Sequence, residues 1–203
     1  MPFVKNWLSI TSLLVLTLVL VSCTDDPVSP SPTSLLSALP LDSGNYWVHD
    51  FLHYQAGALV DSSTDSMIIG PRLDWGGESW REIRESLHGW SSHNYYRTAD
   101  DGVWWLYVLH GDTTPGLFFK YPTSPGEMWI NGRGDTMLTR AADETVEVPN
   151  GAFEGCIHYQ YKGNAEDEGM WLKPGVGWIL SHWYRPNDTE HWFRMREYRI
   201  ESL

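Results

Sequence analysis

The sequence predicts an all-β domain, a curved antiparallel sheet closing into a barrel or half-barrel, with a β-sandwich as the alternative. Three observations carry this. From Tyr46 onward short aromatic and β-branched runs follow one another, the breaks between them are rich in Gly, Pro, Asn and Asp, and no stretch sustains a helical period.

Thirteen runs have strand character: Tyr46 to Tyr54, Ser66 to Ile69, Ser79 to Glu85, His93 to Thr98, Val103 to Leu109, Leu117 to Tyr121, Met128 to Asn131, Thr136 to Thr139, Thr145 to Val148, Phe153 to Lys162, Met170 to Lys173, Trp178 to Arg185 and His191 to Glu201. Asp100-Asp101-Gly102, Asn131-Gly132, Pro149-Asn150-Gly151 and Pro186-Asn187-Asp188 supply turn chemistry between them, so consecutive hairpins follow. The run Val103-Trp104-Trp105-Leu106-Tyr107-Val108-Leu109 is apolar on both faces, which requires a sheet covered on both sides. Ser34 to Leu39 admits a short helix, and Arg81 to Leu87 reads equally as helix or strand; neither changes the class.

Pro40-x3-Gly44-x2-Trp47 is echoed 82 residues later by Pro122-x3-Gly126-x2-Trp129, which suggests two duplicated β halves. Gly77-x2-Trp80 also satisfies the short part of the pattern, and a chain holding 12 tryptophans produces such matches by chance.

Ahead of the domain, Lys5 precedes an apolar run from Leu8 to Val21 and then Ser22-Cys23, the order of a signal peptide. A membrane-spanning helix needs roughly 20 apolar residues, and this run is shorter and interrupted by Ser9, Thr11, Ser12 and Thr17. Leu20-Val21-Ser22-Cys23 resembles the lipobox of bacterial lipoproteins, which implies cleavage before Cys23 and acyl chains on its sulfur. Residues 1–22 are then the leader. Residues 23–38 carry the lipidated cysteine and a tether with Pro27, Pro30 and Pro32, and residues 39–203 form one β domain. Extended at ~3.1 Å per residue, Thr24 to Ser34 would reach about 30 Å from the lipid. More than one acyl chain makes such anchoring stable. Thr24 after the cysteine, where some bacteria use aspartate to retain lipoproteins at the inner membrane, favours the outer membrane.

Loss of the leader removes Lys5 alone among the charged residues and leaves 13 basic against 26 acidic side chains. Such a surface repels phosphate backbones, so nucleic acid is excluded as a partner. With Cys23 lipidated, Cys156 has no partner for an intramolecular disulfide. It reads as a buried structural thiol in a strand, since a catalytic one would need a base, and His158, two residues on, is the one on offer.

The domain resembles a loose group of bacterial exported proteins and lipoproteins of unassigned function. The resemblance rests on Gly44-Asn45-Tyr46-Trp47, Gly126-Glu127-Met128-Trp129, Val148-Pro149-Asn150-Gly151-Ala152-Phe153 and Pro174-Gly175-Val176-Gly177. Asn150 stands where alanine is usual in the group. The resemblance implies an antiparallel β fold and no catalytic residues.

Motifs of catalysis are missing: no Gly-x-Ser-x-Gly elbow, no His-Glu-x-x-His and no glycine-rich phosphate loop. Gly89-Trp90-Ser91-Ser92-His93 lacks the second glycine of an elbow. His49 and His53 would share a strand face about 13 Å apart, too far to hold one metal between them, and read as ordinary hydrogen-bonded histidines. Asn164 to Gly169 alternates oxygen ligands, but Gly175 stands where a calcium loop needs its closing carboxylate, so a solvated hairpin tip is expected. Arg133-Gly134-Asp135 spells an adhesion tripeptide, a match too short to count. No cofactor and no metal are expected.

The remaining signal is aromatic, because Trp and Tyr offer rigid faces with a polar handle to sugars or apolar ligands, although they also fill β cores. Candidate ligand-binding residues are Trp104, Trp105 and Tyr107, and the row Trp192, Arg194, Arg196 and Tyr198, expected on one face of a strand. The leading expectation is a non-catalytic, lipid-anchored envelope domain. It would bind an envelope protein, a glycan or an apolar molecule, or serve as a structural component. The alternatives are a carrier with an apolar ligand inside a curved sheet and a metal-assisted enzyme assembled from distant strands.

Overall fold

The computed structural model describes residues 37–87, 90–109 and 112–201, side chains at 87, 90, 107–109 and 112 excepted. Cys23, the leader and most of the tether therefore lie outside the described residues. Within the compact unit Leu36–Leu203 the chain forms β1 (Tyr46–Gln55), β2 (Ala58–Trp75), β3 (Glu78–Leu87), β4 (Trp90–Ala99), β5 (Gly102–Leu109), β6 (Asp112–Lys120), β7 (Met128–Ile130), β8 (Thr136–Val148), β9 (Gly151–Tyr161), β10 (Gly169–Lys173), β11 (Gly177–Arg185) and β12 (Thr189–Arg199). They make one antiparallel sheet in the order β6-β5-β4-β3-β2-β1-β12-β11-β10-β9-β8-β7. The class is all-β and the sheet is a nearly closed barrel.

Each half of the chain is a six-stranded meander, and β1 joins β12 between them. The sequence echo marks the start of each half. Trp47 and Trp129 are the second residues of β1 and β7. Each strand is preceded by the same turn, Asn45 N–H donating to Asp42 O (3.2 Å) and Glu127 N–H to Ser124 O (3.1 Å). Gly44 and Gly126 take φ of 98° and 86° within those turns, a region closed to most side chains. The partial match at Gly77 and Trp80 falls inside a half, at the β2–β3 turn, and has no such role.

Sheet edges β6 and β7 meet without a backbone ladder among the described residues. Side chains bridge them instead: Tyr159 Oη donates to Lys120 O (2.7 Å), Lys120 pairs with Glu127, and the hydroxyls of Thr123 and Thr139 lie 2.7 Å apart. Closure of this kind rules out the sandwich.

Two segment expectations are corrected, and one left open is settled. Thr136 to Thr139 and Thr145 to Val148 are one strand, β8, whose register against β9 breaks at three places. Those breaks let the polar middle of the strand pass without interrupting it. β2 extends far beyond Ser66 to Ile69, because strands on both sides pair its polar start and its end. Pro71, with no N–H to give, sits in the register shift between Ile69 and Arg72. Arg81 to Leu87 is strand, within β3.

Because hairpins join successive strands, odd-numbered strands end and even-numbered strands begin at the same end of the barrel. The opposite end is plugged by the chain entering it. Ala38, Leu39 and Leu41 are buried there. Gly175 N–H donates to Ser37 O (2.9 Å) and Asn45 Nδ2 to Pro40 O (3.1 Å). Trp47, Ile83, Phe119, Met137, Tyr159 and Met195 fill the interior above the plug.

Candidate functional site

At the end away from the plug the barrel opens. Inward-facing side chains of five strands, Trp105 (β5), Phe118 (β6), Tyr161 (β9), Met170 (β10) and Trp183 (β11), wall a cavity of about 940 Å³. Their rings are mutually braced: Trp105 lies 5.2 Å from Phe118 and stacks with Tyr96 at 6.2 Å, and Tyr161 lies 5.5 Å from Trp183. Met170 and Trp183 also border a deeper chamber of about 140 Å³ with His49, Met67, Trp178, Ser181 and Phe193. The upper barrel is a cup rather than a filled core.

Polar groups ring the mouth. The Asn131 side chain accepts from the N–H groups of Arg133 (2.9 Å) and Asp135 (3.0 Å), an Asx turn that fixes both residues at the rim after β7. Lys162 follows β9, and Arg185 closes β11. Glu168 is buried beneath, its carboxylate accepting from Tyr184 N–H (2.9 Å) and Ala165 N–H (3.1 Å). Burial raises the Tyr161 phenol above its ordinary range, and the Arg133 and Arg185 guanidiniums draw it back. Three cations thus face a mouth with Asp135 and the engaged Glu168, in a chain holding 14 basic and 26 acidic residues.

No protein-family model matches this chain, and no curated protein does. Two solved structures are similar. One is a candidate lipoprotein from Parabacteroides distasonis, at 12% identity and TM-score 0.44, covering 81% of this chain and 99% of its own. The other is a candidate exported protein with a YmcC-like fold from Bacteroides fragilis, at 13% identity and TM-score 0.45, covering 80% of this chain and 98% of its own. No residue role passes from either to this chain.

Of the sequence-predicted residues whose side chains are described, Trp105 alone lines the cup. Its neighbour Trp104 points to the opposite face, where its Nε1 donates to Asp101 (2.7 Å) and the Arg97 guanidinium lies over its ring at 5.1 Å. The Tyr107 side chain is outside the described residues. Trp192 and Arg194 line a separate groove on the outer face. Arg196 is exposed there and donates to Asp50 (3.0 Å) and Thr64 (3.4 Å). Tyr198 does not join them. The register pairs His49 with Met195 but Trp47 with Tyr198, so β12 carries an extra residue and Tyr198 is turned inward, edge-on to Phe153 at 5.9 Å. The expected single-faced row is therefore broken by a bulge.

The weaker sequence features are absorbed by structure. Cys156 is buried, donates to Phe153 O (3.3 Å), and burial pushes its thiol up to about 11. His49 is buried with Nε2 3.2 Å from Trp178 O, and burial lowers its pKa. Ser92 hydrogen-bonds Glu85 while its neighbour His93 hydrogen-bonds Glu82. Asn164 to Gly169 is more than a solvated tip: its Asp167 and Glu168 carbonyls meet His182 Nδ1 (2.8 Å) and His158 Nε2 (3.1 Å). Among the described residues no three His, Cys, Asp or Glu side chains gather as a metal site would require.

The residues missed in the sequence are Phe118, Tyr161, Trp183, Arg133, Lys162 and Arg185. The cations share one signal, which appears only when Thr136 to Val148 is counted as a single strand. Each follows or ends an odd-numbered strand, β7, β9 or β11, and so must emerge at one end of a meander.

Proposed function

We propose that this chain is a non-catalytic, lipid-anchored binding domain of the bacterial cell envelope. Its barrel mouth takes an amphipathic molecule with an apolar or aromatic body and an anionic end. The observation that carries this is the cup of about 940 Å³ walled by Trp105, Phe118, Tyr161, Met170 and Trp183 beneath Arg133, Lys162 and Arg185. A cavity of this size suits a drug-sized ligand. The walls supply burial of apolar surface, and the rim supplies charge-assisted hydrogen bonds to a carboxylate, sulfonate or phosphate. The leader and the lipobox ending at Cys23 support the address.

Titration with 8-anilinonaphthalene-1-sulfonate and with dodecanoate tests the reading. One saturable site is expected, weakened about tenfold by Trp183→Ala. Arg185→Glu should weaken both anions and spare dodecanol. Absence of saturable binding, or binding indifferent to both substitutions, would refute a ligand site at the mouth.

A further inference from the structure

A second concavity lies on the outer face of the sheet, where β11, β12 and β1 adjoin. The register sets Trp192 of β12 between His182 of β11 and Leu52 of β1. Its indole stacks on the fully buried His182 imidazole, centroids 3.6 Å apart and planes within 13°. One face of the ring is thereby occupied. A groove of about 460 Å³ is lined by Leu52, Tyr54, Glu147, Glu190, Trp192 and Arg194. The groove is lined from both sides of Trp192, by Leu52 and Tyr54 of β1 and by Leu180 of β11, so the indole lies within its floor.

The polar groups around this plate are held or available. Glu190 accepts from Trp192 Nε1 at 3.2 Å, which fixes the ring. Glu147 is exposed. Arg194 makes no ion pair among the described residues, while its neighbour Arg196 takes Asp50. A rigid aromatic plate flanked by carboxylates and a guanidinium meets the needs of a pyranose ring. The C–H face of such a ring packs on the indole, while its hydroxyls donate to carboxylate and accept from guanidinium. A purely apolar ligand would strip water from these charges without replacing it, and two carboxylates against one guanidinium disfavour an anionic polymer. Beyond the groove, Leu59 pairs with Tyr54 and is 52% exposed, so the apolar floor continues toward the β1–β2 hairpin and a chain of sugars has room to run.

We propose that the Trp192 groove binds a pyranose unit of an uncharged glycan chain, independently of what the barrel mouth holds. The test is a titration of the mature chain, indole nitrogens labelled for NMR, with cellohexaose, maltohexaose and chitohexaose. Saturable movement of the Trp192 indole signal with a millimolar Kd is expected for at least one of them, with the Trp105 and Trp183 signals still. Trp192→Ala should lower affinity about tenfold. Glu147→Ala, at an exposed position that leaves the fold intact, should lower it about threefold. The proposal fails if none of the three moves Trp192 at ~10 mM. It fails equally if the moving signals are those of the mouth, or if Glu147→Ala and Arg194→Ala both bind as the parent does.

Discussion

Gly116 of β6 and Gly132 after β7 approach so closely that a Cβ on either would overlap the backbone of the other. This contact is where the two free edges of the sheet meet, and it stands in for the missing ladder. The barrel is closed by the absence of two side chains as much as by the presence of others.

Gly116→Val should therefore force the edges apart. A loss of about 2 kcal/mol or more is expected, as for an overpacked core, read as a lowered urea midpoint. Amide exchange should quicken in β6 and β7 before it does in β1 and β12. An unchanged midpoint would show that the edges do not need this contact.

Acid should weaken the fold through His49 and His158, whose pKa values burial lowers from 6.5. The Trp178 carbonyl, Asp65 and Asp50 pull His49 the other way, as the Glu168 carbonyl, Glu144 and Asp167 do for His158, but burial prevails. A depressed histidine leaves the folded state binding fewer protons than the unfolded one. Stability is then full above the unfolded value and falls as pH drops through it, by at most about 1.4 kcal/mol per pH unit for each group. Urea midpoints should decline from pH 7.5 to 5.5, and His49→Asn should flatten the decline.

Glu85 acts in the opposite sense. Burial raises its carboxyl above 4.5, and hydrogen bonds from Ser92 and Asn94 offset that only in part. At neutral pH the ionised group costs stability, and the cost is relieved as pH falls through the raised folded value. Glu85→Gln should unfold at higher urea than the parent at pH 7, with the gain fading near pH 4.5. A variant equally or less stable at pH 7 would contradict this.

With its thiol pushed up to about 11, Cys156 carries roughly one thiolate in a thousand at pH 8. Aromatic disulfide reagents should modify it only at the rate of unfolding and at full stoichiometry in urea. Fast reaction of the folded chain would mean that the thiol is accessible. Cys156→Ala should cost about 1 to 2 kcal/mol through the small cavity left behind.

The anchor is tested by mass. The wild-type chain from a bacterial envelope should carry acyl chains on a peptide beginning at Cys23, and Cys23→Ala should carry none and leave the membrane fraction. Acylation persisting in the variant would overturn the lipobox reading.

Strand identity was legible from alternation and turn residues over most of the domain, and the echo of Trp47 in Trp129 located both halves. The site was less so, for a definite reason. Reading Thr136 to Thr139 and Thr145 to Val148 as separate strands shifts the parity of everything after them. Arg133 then falls at one end of the meander, and Lys162 and Arg185 at the other. One strand with three register breaks restores all three to the same mouth. The bulge that parts Tyr198 from Trp192 is of the same nature, a single inserted residue that alternation cannot reveal.

By itself the sequence determined the class of fold and the meander, because these depend on local chemistry: side-chain periodicity and turn residues. Tertiary structure decided which tryptophans face a cavity, which lie against a groove, and where the barrel stays open. Those outcomes depend on bulges and on the meeting of Gly116 with Gly132, contacts between distant residues whose energies no local pattern encodes.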